Sequence, residues 1–145
     1  MKFTDIIKTR YATKRFNDKA IQQEKVDELI EIIRHTPSSY NIQPWKVLVI
    51  TNKEIKKRLQ QASYDQKQIT TCSHLLVFCA DINITERIDE LGKLMIQNGA
   101  TKEEIQGYIA TIKEFEEELT EEEKKSWTQK QVYIALGNAI NGATA

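Results

Sequence analysis

The sequence predicts a helix-dominated chain carrying two short buried strands, and three observations lead there. Only 5 glycines and 2 prolines interrupt the 145 residues, which leaves long stretches open to helix. Several of those stretches repeat apolar residues at spacings of three and four, the period of one helical face. Two short runs are instead densely apolar, Trp45 to Ile50, which is also β-branched, and Leu75 to Ala80, as buried strands are.

In chain order, the first helix is expected over Phe3 to Thr9, with Ile6 and Ile7 turned inward. A turn follows at Asn17, Asp18 and Lys19. The next helix is expected over Gln23 to His35, where Val26, Leu29, Ile30 and Ile33 form one apolar stripe. Pro37 ends it, because a residue before proline is pushed out of helical geometry. Residues 53–62, after the first strand, read as helix. After the second strand the chain is expected to be helical to its end. Asn83 with Glu86, Thr101 with Glu104 and Thr120 with Glu123 each have the spacing of a capping box. The first box precedes a stripe of Ile84, Ile88, Leu91 and Met95, ended by Asn98-Gly99. The second precedes Ile105, Ile109 and Ile112. The third opens a last helix whose apolar face is Val132, Leu136, Ala139, Ile140 and Ala143, with Gly137 and Gly142 admitting a close neighbour. Two strands do not make an independently stable sheet, and this last helix must bury its face. The physics therefore expects an obligate oligomer, an incomplete domain, or both.

Composition narrows the function. Lys+Arg and Asp+Glu are both 21, a net charge of zero, which gives no general attraction to nucleic acid or acidic membranes. The longest apolar runs are too short to span a bilayer, and Asp5 interrupts an N-terminus without the apolar core of a secretory signal. Cys72 and Cys79 match no zinc or redox spacing and are expected to be reduced, partly buried thiols of a cytoplasmic protein. His35 and His74 have no metal-ligand spacing and read as structural. The acidic stretch from Glu114 to Glu123 reads as a solvated helix junction. No nucleophile elbow, dinucleotide fingerprint or phosphate loop is present.

Three polar clusters remain. In the first, Thr9 to Phe16, an extended backbone would put Arg10, Ala12 and Lys14 on one face. Two cations beside free backbone N–H groups suit a phosphate, though a plain basic edge has the same composition. In the second, Pro37 to Trp45, Ser38, Ser39, Asn41 and Gln43 offer neutral donors and acceptors between two prolines. They could read a polar heterocycle, or simply connect a helix to a strand. The third, Ser63 to Gln68, is a polar loop or a helix end.

The clusters TRYATKRF, PSSYNIQPW and SYDQKQITTCSHLLVFCA, followed by WTQKQVYIALGNAINGA, stand in an order that resembles the FMN-dependent nitroreductase family, over essentially the whole chain. The resemblance implies a single α+β domain over residues 1–145, with a central sheet flanked by helices, in an intertwined homodimer holding FMN at its interface. It implies that Arg10, with the segment Tyr11, Ala12, Thr13 and Lys14, holds the FMN phosphate, and that Lys14 also lies near the N1/C2 side of the flavin. Ser38, Ser39 and Asn41 would reach FMN from the partner subunit, and Asp65 would touch the ring edge. Lys14 and Gln68 would face the acceptor or NAD(P)H. The implied activity is ping-pong hydride transfer from NAD(P)H to nitroaromatics, quinones or similar acceptors, with no side chain acting as nucleophile.

Two residues depart from the family pattern. Asp65 stands where members often carry Asn, and Gln68 where some carry Lys. Family chains are also longer, so the resemblance further implies that a C-terminal part, with more strands and phosphate contacts, is missing here. The competing expectation is a non-catalytic helical dimer, or a fragment that does not retain flavin.

Overall fold

The computed structural model describes residues 2–17 and 19–145. Its elements run α1 (Phe3–Thr9), α2 (Gln23–Arg34), a 3-10 turn (Ser39–Asn41), β1 (Trp45–Ile50), α3 (Lys53–Ala62), α4 (Lys67–Thr71), β2 (Leu75–Ala80), α5 (Ile84–Gln97), α6 (Lys102–Glu117) and α7 (Glu121–Gly142). The expected helices and both strands are present, with α4 as an additional short helix. β1 and β2 pair antiparallel, and the Asp81 N–H extends the ladder to the Pro44 carbonyl at 2.9 Å. Of the predicted turn, Lys19 N–H donates to Asn17 Oδ1 at 3.3 Å; Asp18 lies outside the described residues.

The chain divides into two compact units. One comprises the described residues of Met1–His35 with Val47–Phe78 and Leu136–Ala145; the other comprises Thr36–Lys46 and Cys79–Ala135.

In the first unit Ile6, Val26, Ile33 and Ala139 are buried. Ile7, expected inward with Ile6, is 48% exposed, since consecutive helical residues point about 100° apart. Gly142 lies against α2: a Cβ there would meet Ile32 Cδ1 at 2.8 Å, whereas one at Gly137 would meet nothing within 4 Å. Gly142 therefore admits a side chain of the same unit, and Gly137 admits no described neighbour. β1 is less buried than a continuous apolar run suggests, with Leu48 52% and Val49 41% exposed. A strand's burial is set by what covers its faces, and β1 has a single strand neighbour among the described residues. Lys56 of α3 is buried, and its ammonium donates to the carbonyls of Cys72 at 2.5 Å and Ser73 at 3.4 Å. It thereby satisfies backbone acceptors in the bend between α4 and β2.

In the second unit Ile42, Ile84, Ile88, Leu91 and Ile112 form the core, flanked by Tyr40, Met95, Ile109 and Trp127. Full burial of each such aliphatic side chain contributes roughly 1.5–3 kcal/mol. Thr101 and Glu104 close a reciprocal capping box at 3.3 and 2.7 Å, and Thr120 with Glu123 does the same at 3.3 and 2.9 Å. The box expected at Asn83 is only half made. Asn83 accepts the Glu86 N–H at 3.4 Å, but its own backbone N–H turns to Asp81 at 3.2 Å. Gly99, at φ 99°, closes α5 with the Ala100 N–H on the Met95 carbonyl at 3.1 Å.

Two expectations in the C-terminal half need correction. Glu116 does not belong to a solvated junction: it is buried, accepts from Thr85 Oγ1 at 3.2 Å and pairs closely with Lys124. The inward face of α7 is centred on Ala135 and Ala139, both buried. Val132 and Leu136 are half-buried, while Ile140 and Ala143 are exposed. Small residues four apart let a helix seat closely, and that rotates the longer side chains to the flanks.

Candidate functional site

The three polar clusters fall on loops, each anchored inside its own unit. In the first unit, α1 ends where the Arg10 N–H returns to the Ile6 carbonyl at 3.0 Å. The following segment is not a plain extended strand. Thr13 N–H closes onto the Tyr11 carbonyl at 3.1 Å, and the chain bends at Lys14, so Arg10, Ala12 and Lys14 do not share the regular face of a strand. Arg10, Tyr11, Ala12 and Lys14 are exposed and Thr13 is half-buried. Neither Arg10 nor Lys14 forms an ion pair among the described residues, whereas eight other basic residues, from Lys25 to Lys124, do.

This segment is tied to the third cluster. Phe16 N–H donates to Thr71 Oγ1 at 3.1 Å, and that hydroxyl donates to the Lys67 carbonyl at 2.9 Å. Thr71 belongs to the same short helix as Gln68, whose amide donates to Gln66 Oε1. The preceding turn holds Tyr64 and Asp65 in left-handed conformation, at φ 54° and 52°. Gln60 fastens it from both sides: its carbonyl takes the Asp65 N–H at 3.0 Å and its amide reaches the Asp65 carbonyl at 3.1 Å. Arg10–Lys14, Asp65 and Gln68 thus belong to one unit, and the Phe16–Thr71 bond ties the end of the basic segment to the short helix that carries Gln68.

The second cluster belongs to the other unit. Tyr40, Asn41 and Gln43 all have positive φ, at 55°, 55° and 49°. Each left-handed residue other than glycine costs roughly 1–2 kcal/mol, so the loop persists only because its surroundings over-determine it. Gln43 N–H donates to Ser38 Oγ at 2.9 Å and Asn41 N–H to the Ser38 carbonyl at 3.0 Å. Ser39 N–H donates to Oε1 of buried Gln131 at 3.0 Å, and Tyr108 Oη to the Tyr40 carbonyl at 2.9 Å. Ser38 is half-buried and occupied with the loop itself, while Ser39 and Asn41 are exposed.

Thr71, Gln131 and Tyr108 were not singled out by the sequence. They act on residues 55, 92 and 68 positions away, and no local pattern marks such pairs. Among the described residues, no group of three or more His, Cys, Asp and Glu could hold a metal ion, both cysteines are free thiols, and no helix is long and apolar enough to cross a membrane.

Chemically, the loops of the first unit offer exposed cations, Arg10, Lys14 and Arg15, without an ion pair among the described residues, with neutral amides and the exposed Asp65 carboxylate; the loop of the second unit offers neutral donors and acceptors alone. Such a set suits a ligand with an anionic end and a polar, hydrogen-bonding ring. The chain is 32% identical over 144 residues to the major NAD(P)H-flavin oxidoreductase of Aliivibrio fischeri, covering 93% of this chain and 66% of the relative. It is 34% identical over 148 residues to a Staphylococcus saprophyticus protein designated an NAD(P)H nitroreductase, covering 96% and 67%. The chain thus spans about two thirds of the length of these relatives. An Exiguobacterium sibiricum protein designated a nitroreductase, solved in complex with FMN, superposes with a TM-score of 0.86 at 21% identity, over 99% of this chain and 70% of that one; at that identity it speaks for the fold. The model of the nitroreductase family matches residues 7–145, and the chain belongs to that family.

Proposed function

We propose that this chain serves an FMN-dependent oxidoreductase that draws on NAD(P)H to reduce nitroaromatics, quinones or similar acceptors by ping-pong hydride transfer. The observation that carries the reading is where strain is stored. All five non-glycine residues of positive φ among the described residues lie in the two polar loops, Tyr40, Asn41 and Gln43 in one and Tyr64 and Asp65 in the other. Backbone strain held in place by surrounding contacts is characteristic of ligand-binding loops.

The residues present fit FMN. Its phosphate carries about −1.5 to −2 charges near neutrality, and Arg10 and Lys14 are exposed cations with no competing carboxylate among the described residues. In this reading Arg10 holds the phosphate, with the Tyr11 and Ala12 backbone contributing N–H groups and Thr13, whose own N–H is held by the Tyr11 carbonyl, contributing its hydroxyl. Lys14 places a positive charge beside the ring, where it favours the reduced, more anionic form. Ser38, Ser39 and Asn41 serve the FMN of the partner subunit in a homodimer. The exposed Tyr133, Ile134 and Ile140 of α7, at 72%, 44% and 38%, supply apolar surface for that assembly. Asp65 accepts from the polar ring edge, and Gln68 faces the acceptor or NAD(P)H. When bound, FMN supplies the hydride-accepting and hydride-donating chemistry; the protein's own groups bind, orient and set charge.

The test is a titration of the chain with FMN, followed by flavin absorbance and fluorescence, and repeated on Arg10→Ala. Losing one charge-assisted contact of roughly 1.5–3 kcal/mol weakens FMN binding about ten- to a hundredfold. A parent chain that never gains a flavin signal, or an Arg10→Ala variant that binds as the parent does, would overturn the reading in favour of a non-catalytic helical dimer. NAD(P)H-dependent reduction of menadione and of a nitrofuran then separates the acceptor classes.

A further inference from the structure

The loop that carries Ser39 and Asn41 is gripped from two helices of its own unit. From α6, Tyr108 Oη donates to the Tyr40 carbonyl at 2.9 Å. The Tyr40 ring also meets the Tyr108 ring edge-on at 6.5 Å and the Phe115 ring at 5.4 Å. From α7, Gln131 receives the Ser39 N–H at 3.0 Å. The backbone takes a left-handed step at Tyr40, between these two grips, and another at Asn41, immediately after them, and the Asn41 side chain, exposed, has no hydrogen bond among the described residues. Tyrosine is a poor residue for that conformation, since only glycine, and less often asparagine or aspartate, visits it routinely.

The hydroxyl of Tyr108 is an unusual investment if its purpose is only to hold the fold. Tyr108 is 39% exposed, so water could satisfy the same hydroxyl and the same carbonyl in a relaxed loop. The bond specifically favours the conformation in which the Tyr40 carbonyl points at α6, and that choice fixes the next residue, Asn41.

We propose that Tyr108 is a positioning residue: its hydroxyl clamps the Tyr40–Asn41 left-handed pair and so sets the direction in which Asn41 is presented to the flavin ring. This rests on the FMN reading above and deepens it, by making α6 an element that controls cofactor geometry through the loop it clamps.

The test is Tyr108→Phe, which keeps the ring contacts and removes only the hydroxyl, with Thr111→Val as control, an exposed α6 residue whose hydroxyl donates to the Gly107 carbonyl of its own helix at 3.1 Å. Two quantities are measured on the whole chain. One is amide hydrogen exchange at Asn41, Ile42 and Gln43, whose N–H groups bond to Ser38 and Ser39, with the amides of α5 as reference. The other is the FMN dissociation constant. The expected result is exchange faster by roughly three- to tenfold in the loop, unchanged exchange in α5, and FMN binding weakened by about the same factor, as befits one neutral hydrogen bond. A merely structural role would speed exchange across α5 and α6 as well. Unchanged loop exchange overturns the clamp whatever FMN does. Faster loop exchange with an unchanged FMN constant overturns the positioning role. Faster loop exchange in the variant, with a parent chain that binds no FMN, overturns the flavin reading, and with it any role of Tyr108 toward flavin, while leaving the clamp as a fact of the loop.

Discussion

The hydroxyl of Thr71 accepts the backbone N–H of Phe16 across 55 residues, at 3.1 Å, and at the same time donates to the Lys67 carbonyl. One small side chain therefore joins the end of the basic segment to the short helix that carries Gln68. Behind it, buried Lys56 holds the Cys72 and Ser73 carbonyls and fixes the bend in which α4 ends.

Thr71→Val should release this tie while preserving shape and volume. Loss of one hydrogen bond, with the Phe16 amide free to turn to water, costs about 0.5–1.5 kcal/mol. The larger effect is expected locally. Arg10, Lys14 and Arg15 become better trypsin sites, so limited digestion should cut there several times faster than in the parent. FMN affinity should fall with it. Equal digestion rates in parent and variant would mean that the segment is held by something other than Thr71.

Asp81 offers a pH-dependent counterpart in the second unit. Its carboxylate receives Arg87 Nη2 at 2.8 Å and Nε at 3.0 Å, Lys46 Nζ at 3.2 Å, and the Asn83 N–H at 3.2 Å. Burial alone raises this carboxyl, but the hydrogen bonds from Arg87, Lys46 and Asn83, with the Arg87 charge, outweigh it and hold the group below its ordinary value of 3.8. With the folded value below the unfolded one, the stabilisation is complete above about pH 4 and is lost as the pH falls through the folded value. Asp81→Asn should lower stability at neutral pH by roughly 1–2 kcal/mol, reduced because Arg87 keeps its pairing with Glu90. Thermal melts from pH 7 down to pH 2.5 should then show the two proteins converging below about pH 4. A constant offset between the two melting curves over that range would exclude Asp81 as a source of the acid sensitivity.

How far the sequence spoke for itself depends on the range of the interaction. The boxes at Thr101 and Thr120 form as their spacing demands, because both partners lie within one turn. The box at Asn83 fails by one hydrogen bond, because Asp81, two residues upstream, offers its N–H a carboxylate. Asn41 and Asp65 tolerate left-handed backbone by residue type, but nothing local marks Tyr40, Gln43 or Tyr64 for it. For Tyr40 the conformation follows from a partner far along the chain, Tyr108; for the turn at Tyr64 and Asp65 it follows from the nearby Gln60, whose side-chain bond to the Asp65 carbonyl no simple spacing rule marks. Burial of Glu116 was hidden for the same reason. Its stretch reads as acidic and solvated until Thr85 and Lys124 are brought to it. Leu48 and Val49 show the converse, since β-branched and apolar character predicts a strand but not what covers it.

The turn at Tyr64 allows stability to be set against function. Tyr64 is 94% exposed at φ 54°, so its side chain contributes little burial while its backbone sits in an unfavourable region. Tyr64→Gly removes a conformational cost of roughly 1–2 kcal/mol and adds back about 0.5–1 kcal/mol in unfolded-chain entropy. A net gain of roughly 0.5–1 kcal/mol should raise Tm by about 1–4 °C in a chain of this size. If the strained turn exists to aim Asp65, the same change loosens that aim, and FMN should bind less tightly although the fold is more stable. Opposite movements of Tm and FMN affinity are the signature of a backbone held for binding rather than for folding. A variant that loses both, or gains both, would show that the left-handed turn is an ordinary part of the scaffold.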